Sequence, residues 1–314
     1  MQYIHIRLIK GTLILLLLFC LSFLTSVVLK KEAPIPTTPE PITNTNVTVA
    51  EEIKKLRTEI IGTSVEGRSI MTYTYGHGDT QLLFVGGIHG GYEWNSQLLA
   101  YQFIDYLEIN ESTIPENITV TIIPSANPDG LHAVIGKEGR FDESDAATEN
   151  TSAGLGRFNT NNVDLNRNFD CKWKPESMWR GNVVSAGTAA FSEPESAALR
   201  DFVIKIKPSA VVFWHSQSNA VYASECENGI LPETYTLMNT YATAAKYPAV
   251  DTFDAYEITG DAEGWLASIG IPAITVELST HKNTDWEKNL AGVSALFMKY
   301  KTPPPLEVDT SDNL

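Results

Sequence analysis

From residue 50 onward, short apolar runs alternate along the chain with longer segments whose apolar residues recur at helical spacing. The runs at 81–86 and 210–214 predict buried strands, and the apolar positions of segment 95–107 predict a helix with one buried face. This alternation predicts an α/β fold with a mixed, largely parallel central sheet flanked by helices on both faces. Further strands are expected at 70–75, 118–123 and 273–278, and further helices at 50–60, 193–206, 231–246 and 286–300.

Two segments interrupt this alternation. Residues 127–130 read Asn-Pro-Asp-Gly, which predicts a turn directly after the strand at 118–123. Residues 133–163 are polar and contain glycine, so a long surface loop is expected there.

The first 31 residues have a different pattern from the rest. Residues 12–29 form an apolar run that would be about 27 Å long as a helix, just enough to span a bilayer core of about 30 Å. Arg7 and Lys10 precede this run, and no small-residue cleavage site of the usual kind closes it. Residues 1–31 are therefore predicted to be a signal anchor that attaches the protein to a membrane, with a cleaved signal peptide and a secreted protein as the alternative. Both place the folded domain outside the cytoplasm.

Proline-rich segments predict where the folded domain begins and ends. Residues 32–49 are rich in proline and threonine and are expected to form an extended linker. Residues 50–302 would then form a single folded domain, and the proline-rich end at 303–314 is expected to be disordered.

Charge and cysteine content narrow the class of protein. The formal net charge is -15, and such a surface repels phosphate backbones, so nucleic acid is not expected as a partner. Cys171 and Cys226 are the two cysteines of the domain. Outside the cytoplasm such a pair predicts a disulfide, and two buried free thiols are the alternative.

Candidate chemistry lies at the ends of predicted strands. His89 follows the run at 81–86, His215 directly follows the run at 210–214, and Glu277 lies near the end of the strand at 273–278. In parallel sheets, ligands bind at the carboxyl ends of strands. Two imidazoles and one carboxylate can hold zinc and leave a position open for water, while a separate carboxylate takes a proton from that water.

Several motifs occur in an order that resembles one family. An entry segment at 61–68 is followed by the Asn-Pro-Asp-Gly turn, the segment Asp-Leu-Asn-Arg-Asn at 164–168, His-Ser at 215–216 and Thr-Val-Glu-Leu at 275–278. From about residue 61 to about residue 279, the chain is similar to the M14 family of zinc carboxypeptidases. The resemblance implies the carboxypeptidase fold, one zinc ion per chain, and hydrolysis of the C-terminal peptide bond of peptides.

The resemblance also implies residue roles. His89, Glu93 and His215 would hold the zinc, and Glu277 would act as general base and acid. Asp164 would hydrogen-bond the ring of His89. Arg157 would polarise the scissile carbonyl group, Asn166 and Arg167 would bind the terminal carboxylate, and Tyr256 would close over the substrate.

Two features of the sequence bear on these residue roles and on substrate specificity. The usual family spacing is His-x-x-Glu, whereas this chain has His89-x-x-x-Glu93. Asp261 and Glu263 lie in a stretch that helps line the terminal-residue pocket in the family, and an acid there would favour a basic or diamino-acid C-terminal residue. The alternative is that both acids face solvent.

Two other functions remain open at this point. A zinc amidase or endopeptidase acting on cell-wall muropeptides would use the same metal with a different pocket. A non-catalytic peptide-binding module would keep only the fold. His77, His132 and His281 have no motif around them and are expected to be structural or surface residues.

Overall fold

A mixed eight-stranded sheet organises the part of the chain that the computed structural model describes, residues 56–146 and 154–302. The strands in chain order are β1 (Arg57–Thr63), β2 (Ser69–Gly76), β3 (Thr80–Gly86), β4 (Ile118–Ile123), β5 (Glu176–Trp179), β6 (Asn182–Ser185), β7 (Ala210–Ser216), β8 (Ala220–Ala223), β9 (Glu225–Cys226), β10 (Gly229–Ile230), β11 (Ala249–Val250) and β12 (Ala273–Leu278). The order in the sheet is β1-β2-β4-β3-β7-β12-β8-β11, and β5–β6 and β9–β10 form separate two-stranded sheets. The four central strands, β4, β3, β7 and β12, run parallel to one another.

Six helices cover the two faces of the sheet. They are α1 (Trp94–Asn110), α2 (Pro128–Ile135), α3 (Pro194–Ile206), α4 (Pro232–Ala245), α5 (Ala262–Ser268) and α6 (Trp286–Tyr300). Because strand side chains alternate between faces, Phe84 and Val212 pack with α1, α4 and α6, while Leu83 and Val211 pack with α3 and α5. The predicted α/β class, with a largely parallel sheet between two helical layers, is confirmed.

The first strand corrects one prediction. A helix was expected at 50–60, but Arg57–Thr63 pairs antiparallel with β2, and residues 50–55 lie outside the described part of the chain. Most of the side chains of β1 are exposed. Side-chain periodicity therefore carries little information about an edge strand whose conformation depends on backbone pairing with its neighbour.

Helix α2 corrects a second prediction, because Asn-Pro-Asp-Gly begins a helix instead of forming an isolated turn. The Asn127 side chain accepts a hydrogen bond from Gly130 N, at 2.9 Å, and Pro128 occupies the first helical position. An Asn cap followed by proline is a helix-start signal. The helix also occupies 133–135, the beginning of the expected loop.

The terminal segments lie outside the described residues. This applies to the predicted signal anchor or signal peptide at 1–31, the linker at 32–49 and the tail at 303–314. Within 56–146 and 154–302, no helix combines the length and apolarity needed to cross a membrane.

The predicted disulfide is present. Cys171 and Cys226 are bonded, with their Cα atoms 6.0 Å apart and a sequence separation of 55. The bond joins the loop that follows Asn166 and Arg167 to strand β9.

Candidate active site

The parallel centre of the sheet brings three candidate residues to one edge. His215 lies at the end of β7, opposite Glu277 of β12 in the strand register. His89 follows the end of β3, which pairs with β7 on its other side. The three residues therefore meet at the carboxyl ends of adjacent strands, where the sequence predicted a site.

A short helical turn accommodates the longer spacing between His89 and Glu93. Residues Gly90–Glu93 form a 3₁₀ turn, with φ of 45° at Gly90, where a Cβ atom would come within 2.4 Å of the Gly156 carbonyl oxygen. This tight turn brings Glu93 Oε1 to 2.8 Å from His89 Nδ1, so the additional residue does not separate the two side chains.

Three buried side chains converge on one point. His89 Nδ1 and His215 Nδ1 are 3.2 Å apart, and Glu93 Oε2 lies 3.1 Å from His215 Nδ1. Each residue offers one ligand atom, and these atoms all lie within 4.8 Å of one another. Each of the three residues is no more than 5% exposed.

The outer nitrogens of both imidazoles face carboxylates. His89 Nε2 is 3.4 Å from Asp164 Oδ1, and His215 Nε2 is 3.1 Å from Glu263 Oε1. In the tautomer that protonates each Nε2, these carboxylates face the ring N–H groups and both Nδ1 lone pairs are free beside Glu93. Two such nitrogens with one carboxylate oxygen are a donor set that fits Zn²⁺.

Glu277 has the properties of a general base beside this centre. Its Oε2 atom is buried and has no hydrogen-bond partner among the described residues. Burial and the neighbouring Glu93 carboxylate raise the pKa of Glu277 to about 8. A carboxyl group in this range can accept a proton and return it near neutral pH.

Arg157 connects the candidate metal ligands to a charged partner. Its Nε and Nη2 atoms lie 2.9 and 2.8 Å from Asp164 Oδ2, and its Nη1 atom lies 3.8 Å from Glu93 Oε1. Burial alone would raise the pKa of Asp164, but Arg157 holds that pKa well below its usual range. Asp164 therefore stays ionised between the guanidinium and the ring of His89.

Arg167 is a buried cation without an anionic partner among the described residues. It is 2% exposed, and its Nη1 and Nη2 atoms donate to carbonyl oxygens of Asn166, at 2.5 Å, and Met178, at 3.4 Å. Its Nε has no hydrogen-bond partner, and no carboxylate among the described residues lies within ion-pair distance. Asn166 lies beside it with its Oδ1 accepting from Ala262 N at 2.8 Å.

Most of the side chains described above line a cavity of about 470 Å³, which is also lined by Tyr256, Asp261 and Glu263. The lining residues described above are His89, Glu93, Arg157, Asn166, Arg167, His215 and Glu277. Tyr256 is half-buried and packs against Phe253, with ring centroids 4.9 Å apart. Tyr256 is thus at the cavity wall, as a residue that covers the substrate would be.

Asp261 and Glu263 were suggested by the sequence as pocket acids that could bind a basic substrate residue, but in the structure both are engaged within the protein. Asp261 caps helix α5 by accepting from Gly264 N at 2.7 Å, and burial together with Glu263 raises the pKa of Asp261 to about 6. Glu263 accepts from Thr275 Oγ1, at 3.0 Å, in addition to its contact with His215. Both carboxyl groups already have partners within the protein.

Sequence reasoning missed one wall of the cavity, formed by Tyr92, Trp179, Arg180 and His281. His281 was expected to be structural or at the surface, but its Nδ1 lies 2.9 Å from Ser216 Oγ and its ring packs against Tyr92. Trp179 and Arg180 belong to the β5–β6 hairpin. No sequence signal marks this wall, because its members come from three separate segments.

The α/β fold and the buried cluster of His89, Glu93 and His215 together form a candidate metal site at one edge of a largely parallel sheet. A sequence model described as zinc carboxypeptidase, peptidase family M14, matches residues 42–294. The chain belongs to this family of zinc-dependent metallopeptidases, and the family resemblance inferred from the motifs is confirmed.

Relatives of the chain include several kinds of peptidase. It is 26% identical over 259 residues to gamma-D-glutamyl-L-diamino acid endopeptidase 1 of Lysinibacillus sphaericus, covering 74% of this chain and 64% of the relative. It is 26% identical over 245 residues to carboxypeptidase B of Helicoverpa zea, covering 68% of this chain and 56% of the relative. The chain thus spans less than two thirds of the length of either relative. The crystal structure of murein-tripeptide amidase from Escherichia coli O157 has the same fold, with a TM-score of 0.56, 24% identity, and coverage of 79% of this chain and 93% of that one.

Proposed function

We propose that the protein is a zinc-dependent metallocarboxypeptidase that hydrolyses the C-terminal peptide bond of peptides. The observation that carries this proposal is the buried guanidinium of Arg167, which has no carboxylate partner among the described residues. Burying a charge is costly unless it is paired, and a substrate's terminal carboxylate would supply the partner. The planar fork of arginine suits a carboxylate, and Asn166 stands beside it in the cavity wall.

The proposed reaction divides its tasks among the other side chains. Zinc held by His89, Glu93 and His215 would make a water nucleophilic near neutral pH. Glu277 would take a proton from the attacking water and pass it to the leaving amine as the peptide bond breaks. Arg157 extends Nη1 toward the same centre and would stabilise the negative charge that develops on the carbonyl oxygen.

A second candidate is a zinc amidase or endopeptidase acting on cell-wall muropeptides. The printed name of the Lysinibacillus sphaericus relative supports it, because that relative is an endopeptidase of gamma-D-glutamyl-L-diamino acid bonds. Both candidates require hydrolysis of an amide bond at the same metal centre. They differ in whether a free carboxylate must follow the scissile bond.

We also infer that the protein acts outside the cytoplasm. The disulfide between Cys171 and Cys226 supports this location, because disulfides persist in oxidising compartments. Thiol labelling of freshly isolated cells would test it, and two freely labelled cysteines in the native protein would contradict it.

The deciding experiment compares matched peptides that end in a free carboxylate or in a carboxamide, with products identified by mass spectrometry. Cleavage should require the free carboxylate, stop on chelation and return with added zinc. Arg167→Gln should raise KM for the free acid by about 10-fold or more, because a charge-assisted hydrogen-bond pair is lost. Arg57→Gln, which removes an exposed charge on β1 outside the cavity, serves as the control.

Equal cleavage of the acid and the carboxamide by the wild-type protein would refute the carboxypeptidase proposal. That result would favour the endopeptidase candidate. The comparison needs no variant, so it stands even if Arg167→Gln fails to fold.

A further inference from the structure

The end of strand β5 and the residue after it contact three residues of the cavity in order. The Met178 carbonyl oxygen accepts from Arg167, at 3.4 Å. The next residue, Trp179, stacks on Arg157, whose guanidinium carbon is 4.6 Å from the ring centroid. The residue after that, Arg180, donates from Nη1 to Tyr92 Oη at 3.1 Å.

This order gives the cavity a direction. Residues 178–180 therefore lead from Arg167, past Arg157, whose side chain reaches toward Glu93, to Arg180 and Tyr92. If Arg167 holds the terminal carboxylate, the leaving residue lies at the Met178 end. The residue on the acyl side of the scissile bond then lies beside Arg180, Tyr92 and His281. This reasoning rests on the function proposed above.

Arg180 is a second cation without an anionic partner at the cavity. It is exposed, and its one hydrogen bond is to the neutral hydroxyl of Tyr92. No carboxylate among residues 56–146 and 154–302 lies within ion-pair distance of it, whereas Arg157 has Asp164. The remaining guanidinium donors can therefore bind an anionic group of the substrate.

We propose that Arg180, supported by Tyr92, forms an acyl-side subsite for a free carboxylate. The preferred substrate would carry one carboxylate at its C-terminus, bound by Arg167, and another on the residue before the scissile bond, bound by Arg180. Two sources have this chemistry. One is the α-carboxylate of a glutamyl residue linked through its γ-carboxyl group, and the other is the side chain of an α-linked aspartate or glutamate.

The test uses two pairs of N-acetylated dipeptides with the same free C-terminal lysine. The first pair has a γ-linked glutamyl residue with its α-carboxylate either free or amidated. The second pair has α-linked glutamate or glutamine. Wild-type protein should hydrolyse the charged member of one pair with a kcat/KM about 10-fold above that of its neutral partner, as expected for one charge-assisted contact. The pair that shows the preference identifies the source of the carboxylate.

Variants of Arg180 should alter this ratio and leave the requirement for a C-terminal carboxylate intact. Arg180→Gln should bring the ratio near one, and Arg180→Glu should reverse it toward the neutral substrate. Arg57→Gln, a matched loss of one exposed positive charge, should keep the wild-type ratio. Because Arg180 is exposed in a hairpin turn, these variants should fold.

Equal rates for the charged and neutral members of both pairs in the wild-type protein would overturn the subsite. So would a preference that persists in Arg180→Gln. Either result, combined with a retained need for the C-terminal carboxylate, would leave the carboxypeptidase proposal in place. Loss of that need would instead reject the carboxypeptidase proposal and, with it, the direction assigned to the cavity.

Discussion

Replacing Glu263 with glutamine distinguishes two roles for this residue. The sequence suggested an acid of the terminal-residue pocket, whereas the structure places Glu263 Oε1 at 3.1 Å from His215 Nε2. Glu263→Gln keeps the size of the side chain and its contact with Thr275 but removes the anionic acceptor from the imidazole. We expect the metal to be held less tightly, with substrates of every kind affected alike.

The magnitude follows from the type of contact. Loss of a hydrogen-bond partner behind a metal-binding histidine typically costs 10- to 100-fold in metal affinity, or about 1.4 to 2.8 kcal/mol. Asp164→Asn should have a comparable effect through His89, since its carboxylate faces the corresponding nitrogen at 3.4 Å. Each of the two carboxylates thus supports one of the two imidazoles.

The assay is competition for zinc against a chromophoric chelator, which reports metal affinity without reference to catalysis. Glu257→Gln is the control, because Glu257 lines the same cavity but pairs with Lys174 and not with an imidazole. Thermal unfolding in excess zinc would show that each variant is folded. Unchanged zinc affinity in Glu263→Gln, with kcat/KM lowered only for basic C-terminal residues, would refute the reasoning and restore the pocket role.

Three further predictions concern catalysis, covalent stabilisation and pH. Glu277→Gln should retain zinc but lower kcat by about 10²- to 10⁴-fold, because the proton acceptor is lost while the shape remains; zinc analysis and steady-state kinetics measure both. Replacing Cys171 and Cys226 with alanine should lower the free energy of unfolding by up to about 4 kcal/mol for a loop of 55 residues, measured by urea denaturation. Burial alone would raise the pKa of Asp129, but hydrogen bonds, led by that from Ser64, lower it. The resulting stability is present above the unfolded-state pKa of about 3.9 and lost as pH falls through the lower folded-state pKa, so the stability difference between wild type and Asp129→Asn should shrink in that range.

Each of these predictions has a contradicting result. Near wild-type turnover in Glu277→Gln would remove Glu277 from the proposed mechanism. The urea midpoints of the double cysteine variant, the reduced wild type and the oxidised wild type should be compared. If all three are equal, the disulfide adds no stability. For Asp129→Asn, the contradicting result is a difference in stability from wild type that stays constant from pH 7 to strongly acidic conditions. That result would show that the hydrogen bonds of Asp129 do not stabilise its ionised form.

The sequence was sufficient for features that depend on local pattern. Apolar runs in the sequence correctly predicted strands β3, β7 and β12. Because His89, His215 and Glu277 lie at or just after the ends of these runs, the sequence also placed them at one edge of the sheet. Motif order then identified the family. These inferences succeeded because strand ends in a parallel sheet meet at one edge regardless of what the loops do.

Features that depend on tertiary contact were not accessible from the sequence. The partner of Glu263 is set by the packing of α5 against β12, and the position of His281 by a contact with Tyr92 from a distant loop. The β5–β6 hairpin is short, and half of its side chains are exposed, so it has little hydrophobic periodicity. Arg180 was therefore invisible to pattern analysis although it lines the cavity.

The residues of the site are held in place in two different ways, some by the central sheet and others with the help of the disulfide. His215 and Glu277 are carried by central strands of the sheet. Arg167 instead ends a short 3₁₀ turn that leads into a loop held by the Cys171–Cys226 bond and by backbone hydrogen bonds that join Gly260 to Phe169 and Cys171. If Arg167 binds the terminal carboxylate as proposed, reduction should weaken that binding while zinc affinity is retained. A chain that folds before oxidation would then bind zinc first and acquire its selectivity for peptide ends afterwards.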